Sequence, residues 1–129
     1  MKKYILLFML FAFCAQSQEF KKEVQFAKDY GLAYCLCNFY QTPPSNDIGV
    51  AQSIYFQLMV IGPGAYDEIY NYVKKYMSQY FIFDINPDNP KEKEPVYFIM
   101  CLEMYKSKEF HTEIEKIVKK VFDKWEKRK

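Results

Sequence analysis

The sequence predicts a mostly helical single domain behind a cleaved export leader. Three observations carry that expectation. Apolar residues recur at three- and four-residue intervals through residues 18–40, 65–83 and 107–129, the period of one helical face. Proline, glycine and asparagine clusters at residues 41–46, 62–64 and 84–95 punctuate the chain between those stretches. A length of 129 residues with 50% hydrophobic content is that of one ordinary domain.

The leader comes first. Met1-Lys2-Lys3 is a short basic region, and residues 4–13 form an unbroken apolar run. Ala15 and Ser17 then stand at the −3 and −1 positions of a cut before Gln18, the layout of a secretory signal peptide. The expected division is therefore a signal peptide at residues 1–17 and a domain at 18–129. Cys14 invites a lipoprotein reading, which the bulky Phe13 before it disfavours. Cleavage removes Lys2 and Lys3, so a formal net charge of +2 becomes zero.

Residues 18–40 read as a helix, with Phe26, Tyr30, Ala33, Cys37 and Tyr40 on one face and Leu32, Cys35, Leu36 and Phe39 filling the others. A helix apolar all round is buried all round. Gly31 inside it costs about 1 kcal/mol of helix propensity and marks close packing by a neighbour. Pro43 and Pro44 stop it. Asn46 or Asp47 caps the next segment, up to about Ile61, whose stretch from Ile54 suits a buried strand nearly as well as a helix. Gly62-Pro63-Gly64 is a turn.

The helix expected over residues 65–83 carries a stripe of Tyr66, Tyr70, Val73, Met77 and Tyr80, with Ile69, Tyr72 and Tyr76 beside it. That face is wider than one packing partner needs, so Tyr72 and Tyr76 are the candidates for a dimer surface. Residues 84–95 read as an aperiodic loop holding Pro87, Pro90 and Pro95. A loop of this length inside a small domain is either functional or a solvated connector. Residues 96–106 are ambiguous between strand and helix. Ser107 reads as the N-cap of a last helix with Phe110, Ile114, Ile117, Val118, Val121, Phe122 and Trp125 on its apolar side.

Composition argues against chemistry. Lys+Arg 18 against Asp+Glu 16 supplies no excess of charge for binding nucleic acid. The basic end of the chain reads as a solvated helix terminus suited to its dipole. No segment after the leader offers eighteen uncharged apolar residues, so none spans a membrane. Cys35 and Cys37 are two residues apart on a helix and point to opposite faces, and His111 alone adds an imidazole, too few ligands for structural zinc. Cys37 with His111 as base is a poor nucleophile pair, since the thiol lies in an apolar stretch where cysteine is inert core. No cofactor is expected and the protein is not expected to be an enzyme. In an oxidising compartment Cys35, Cys37 and Cys101 make one disulfide and one spare thiol, and the spacing does not choose the pair.

One block is distinctive. Cys101-Leu-Glu-Met-Tyr-Lys-Ser-Lys-Glu-Phe110 resembles the cysteine-centred signature before the last helix of the immunity proteins for type VI secretion amidase effectors. Gly31-Leu-Ala-Tyr-Cys-Leu-Cys-Asn-Phe-Tyr40 is similar to that family's first-helix motif, and Asp47 ahead of Ala51-Gln-Ser-Ile-Tyr55 to its Asp-led second helix. Tyr34, Met100, Glu103 and Lys106 depart from the family's usual residues.

The resemblance implies an all-α, helical-bundle, periplasmic protein of about five helices, usually a homodimer. Such a protein binds an amidase with a catalytic cysteine, one that cuts peptidoglycan stem peptides, and blocks its cleft. It implies a disulfide between Cys35 and Cys101, with Cys37 free. It also supplies a target for the loop at residues 84–95, whose Asp84, Asp88, Asn89, Glu92 and Glu94 are the expected partner-binding residues. The competing loop is residues 41–47. The alternative function is a small exported helical protein, structural or ligand-binding, with no toxin partner.

Overall fold

The computed structural model describes residues 2–39, 46–79, 83–85, 88 and 93–127. They form α1 (Lys2–Phe39), α2 (Asn46–Leu58), α3 (Pro63–Gln79), β1 (Phe83–Ile85), β2 (Lys93–Pro95), α4 (Tyr97–Lys106) and α5 (Lys108–Glu126). The architecture is an all-α bundle carrying one small antiparallel hairpin. No described helix is long and apolar enough to cross a membrane.

The long α1 is the axis, packed against all four other helices, while α3, α4 and α5 also pack on one another. Its second half explains the arrangement. Gly31 has no side chain because there is no room for one: a Cβ there would lie 2.8 Å from Phe110 Cζ and 3.3 Å from Ile69 Cγ2. Both neighbours are fully buried, so the cost of a helical glycine is offset by the close approach of α3 and α5. One turn later Cys35 is bridged to Cys101 of α4, with Cα atoms 5.8 Å apart and both residues fully buried. The bridge spans a sequence separation of 66, for which chain-entropy arguments give about 4 kcal/mol.

The segments that read as strand or helix, α2 and α4, are both helices. α4 buries Met100, Cys101 and Met104 at helical spacing, and a strand in either place would leave unpaired backbone beside helices. On α3 the buried residues are Ala65, Ile69, Val73 and Met77. The stripe is thus centred one position away from the tyrosines, which flank it half-buried: Tyr34 meets Tyr70 edge-on at 4.7 Å, and Tyr66 stacks on Phe56 at 4.2 Å. α3 ends at Gln79, earlier than expected, and Tyr80 lies outside the described residues. Ser107 serves both helices it joins. Its N–H donates to the Met104 carbonyl at 3.0 Å, and its Oγ accepts from the Phe110 N–H at 3.1 Å.

α1 continues unbroken through residues 17–18. Near there the Gln16 amide donates to the Glu126 carboxylate, and Phe20 meets Phe122 edge-on at 5.7 Å. Further along, Glu23 is 3% exposed and its Oε2 accepts the Val60 N–H at 3.0 Å, tying the α2–α3 connection to α1. Burial pushes the Glu23 carboxyl above its ordinary 4.5, against the opposing effects of the Val60 bond and Lys22.

These contacts generate two predictions. Gly31→Ala should destabilise by about 1–3 kcal/mol through overpacking. Gly49→Ala, at a position with no heavy atom within 4 Å of the new Cβ, should gain up to about 1 kcal/mol of helix propensity. Urea melts of the two variants at low protein concentration compare them directly, and equal shifts would refute the packing account. A carboxyl raised in the native state binds its proton more tightly there, so Glu23 favours folding at low pH. That advantage is lost as pH climbs from 4.5 through its native value. Glu23→Gln keeps an oxygen for Val60 and removes the ionisation, so melts at about pH 5 and about pH 7.5 should differ less than in the parent.

Candidate partner-binding surface

Cys37 and His111 are the candidate reactive groups. Burial pushes the half-buried Cys37 thiol up, away from the thiolate that nucleophilic attack needs. His111 is exposed and pairs at 3.4 Å with Glu115, one turn along its own helix. Cys35 and Cys101 are spent on their disulfide. Among the described residues no three His, Cys, Asp or Glu side chains converge to hold a metal ion.

The segment expected as an aperiodic loop instead contains a hairpin. β1 and β2 pair antiparallel in the register Phe83 to Pro95, Asp84 to Glu94 and Ile85 to Lys93. Three-residue strands are too short to register as a periodicity, and Pro95 is tolerated because an edge position needs no N–H there. The hairpin leaves the end of α3 and returns directly to the start of α4. Of the residues expected to bind a partner, Asp84 and Glu94 lie opposite each other in the ladder, and Asp88 is an exposed turn residue. Asn89 and Glu92 lie outside the described residues.

Where the last turns of α3 meet the α4–α5 corner there is an open groove of about 360 Å³, lined by Tyr72, Lys75, Tyr76, Gln79, Ser107 and Glu109. Tyr72 and Tyr76 are half-buried here rather than standing on an open face. Their rings stack at 6.4 Å, and Tyr72 also lies 5.7 Å from the buried Phe110.

A second concavity, of about 250 Å³, runs between α1 and α2, with Asp29 and Asp47 among its lining and Leu32, Leu36, Ile48 and Tyr55 as apolar walls. Asp29 is held in place: its Oδ1 accepts from Gln25 at 2.8 Å and from the Tyr105 hydroxyl at 2.9 Å. Lys28 lies over the Tyr105 ring at 4.7 Å.

Sequence reasoning missed the exposed apolar residues of α2. That helix packs mainly on α1, touches α3 through Phe56 and Tyr66, and has no buried residue. Val50 (51% exposed), Ile54 (49%) and Leu58 (45%) recur every fourth residue along it. The stretch from Ile54 reads as core by hydropathy. No signal in the sequence separates it from core.

Comparison with known proteins gives one result. Residues 25–118, from the first turns of the α1 half that docks in the bundle to most of α5, match the family model described as Tai4, type VI secretion system (T6SS), amidase immunity protein. No curated protein and no solved structure matches the chain. The matched residues include the Gly31–Cys35 turn, its disulfide partner Cys101, the hairpin and the Ser107 corner, so the match covers most of the packed bundle. The chain belongs to the Tai4 family of T6SS amidase immunity proteins.

Proposed function

We propose that this protein is exported to the periplasm, binds a cognate peptidoglycan amidase there as a homodimer, and inhibits it by blocking its cleft. It performs no chemistry of its own. The observation that carries this reading is membership of the amidase immunity family over the packed helical domain. The leader layout at residues 1–17 supports the compartment, because the amidase's substrate lies outside the inner membrane.

The hairpin and its tip, residues 83–95, are the part that enters or rims the cleft. Two features support this. The segment lies in the chain between two core helices, α3 and α4. The segment carries the carboxylates Asp84, Asp88, Glu92 and Glu94, which suit a basic rim on the partner. Charges in such a position act chiefly on association rate and partner choice.

Two measurements test the reading. Replacing Asp84, Asp88, Asn89, Glu92 and Glu94 together by Ser or Ala should weaken inhibition of the cognate amidase at least tenfold, about 1.4 kcal/mol, with the helical spectrum retained. The loss should reside in the association rate and shrink as salt rises. Undiminished inhibition moves the contact to another surface. Separately, the protein recovered from the periplasm should begin at Gln18 by intact mass and N-terminal sequencing; a retained residue 1 or a lipid on Cys14 rejects this processing.

A further inference from the structure

A cut before Gln18 creates a terminus with chemistry of its own, and the fold decides whether that chemistry is open to it. Residues two apart on an α-helix are turned by about 200°, while residues four apart return to nearly the same side. Gln16 touches Glu126, and Phe20 meets Phe122 edge-on at 5.7 Å, so both face α5. Gln18, midway between them, is turned away from α5 and is exposed. The contacts that hold the start of the remaining helix, Phe20 on Phe122 and Glu23 at the Val60 N–H, lie beyond it.

We propose that Gln18, once it is the first residue, closes on itself to pyroglutamate, which makes this terminus a modification site. This rests on the processing proposed above. In the step the α-amine nitrogen attacks Cδ of its own side chain. The N–Cδ bond forms, the Cδ–Nε2 bond breaks, and Nε2 takes a proton from the amine and leaves as ammonia. The product is a five-membered lactam, and no oxidant, reductant or water is consumed. Nucleophile and leaving group belong to one residue, so no encounter limits the reaction. An ordinary α-amine pKa of about 7.7–8.0 leaves roughly a tenth of the amine unprotonated and nucleophilic at neutral pH.

Ring closure breaks no contact of the fold. The first four N–H groups of a helix have no acceptor within it, so converting the amine to a lactam costs no helical hydrogen bond. An α-ammonium at a helix N-terminus opposes the macrodipole, and the lactam is neutral. The side chain that swings back to form the ring comes from solvent; at position 16 or 20 it would have to leave its contact with α5. The consequence is a blocked end. An aminopeptidase needs a free amine, so the turns that carry Phe20 and Glu23 are shielded from trimming.

The full chain, exported and recovered from the periplasm, is weighed intact before any digestion, at once and after prolonged incubation at neutral pH. The expected species is residues 18–129 with its disulfide, lighter by one ammonia. Its fraction should grow with time at a rate independent of protein concentration. Fragmentation of the N-terminal peptide should place the loss on Gln18. Gln18→Ala has no side-chain carbonyl to attack, so it should keep its full mass, and an aminopeptidase should trim it while sparing the cyclised parent. A chain that begins at Gln18 and still carries a free amine after incubation overturns the proposal and leaves the processing standing. A chain that begins at any other residue overturns both. Ammonia lost from another residue, or lost equally by Gln18→Ala, overturns the assignment to this terminus.

Discussion

The bundle depends on one turn of one helix. Gly31 lets α3 and α5 come within van der Waals contact of the α1 backbone, and Cys35, a turn further on, fixes α4 to the same helix covalently. Ile69, Phe110 and Cys101, which meet α1 at this level, are all fully buried. A side chain at position 31 would push Phe110 outward, and Phe110 is the residue whose N–H Ser107 caps. The α4–α5 corner is thus positioned by the same close approach. Packing interiors are dense enough that such a displacement is not absorbed locally.

This explains the uneven character of the surface. α3, α4 and α5 share a core with α1 and bury residues of their own, whereas α2 buries none and leans mainly on α1. Its main ties to the rest are the Glu23 carboxylate at Val60 and the stacking of Phe56 on Tyr66. The tight side of α1 fixes α3 and α4, between which the hairpin lies in the chain. The loose side leaves an apolar helix outside. Rigidity and availability for partners are divided between two faces of one small domain.

Much of this was legible in the sequence because burial follows periodicity. α5 buries Phe110, Ile114, Ile117 and Val118, all on the face that the spacing marks. Ser107 announces its cap by residue type alone. Gly31 could be read as a point of close packing, though not against which partners. Three features were illegible for physical reasons. Ile54 and Leu58 are as apolar as core residues, and hydropathy does not know that α2 leans mainly on one neighbour. The tyrosines of α3 look like the centre of its stripe because they are large, yet their hydroxyls keep them at its edges, with Ile69 and Val73 inside. The hairpin rests on backbone pairing over three residues a side, which leaves no alternation long enough to see.

The position of the disulfide in the chain has a consequence for covalent connectivity. Cys35 and Cys101 enclose α2, α3 and the hairpin in one closed loop, leaving most of α1, the second half of α4 and all of α5 outside it. The exposed turn at Asp88 therefore lies on a ring and not on a thread. Exposed loop tips are the preferred sites of proteolytic nicking. A single cut in this one would yield two pieces still joined through sulfur, each end of the hairpin held to its own core helix. Scission at that turn would release nothing.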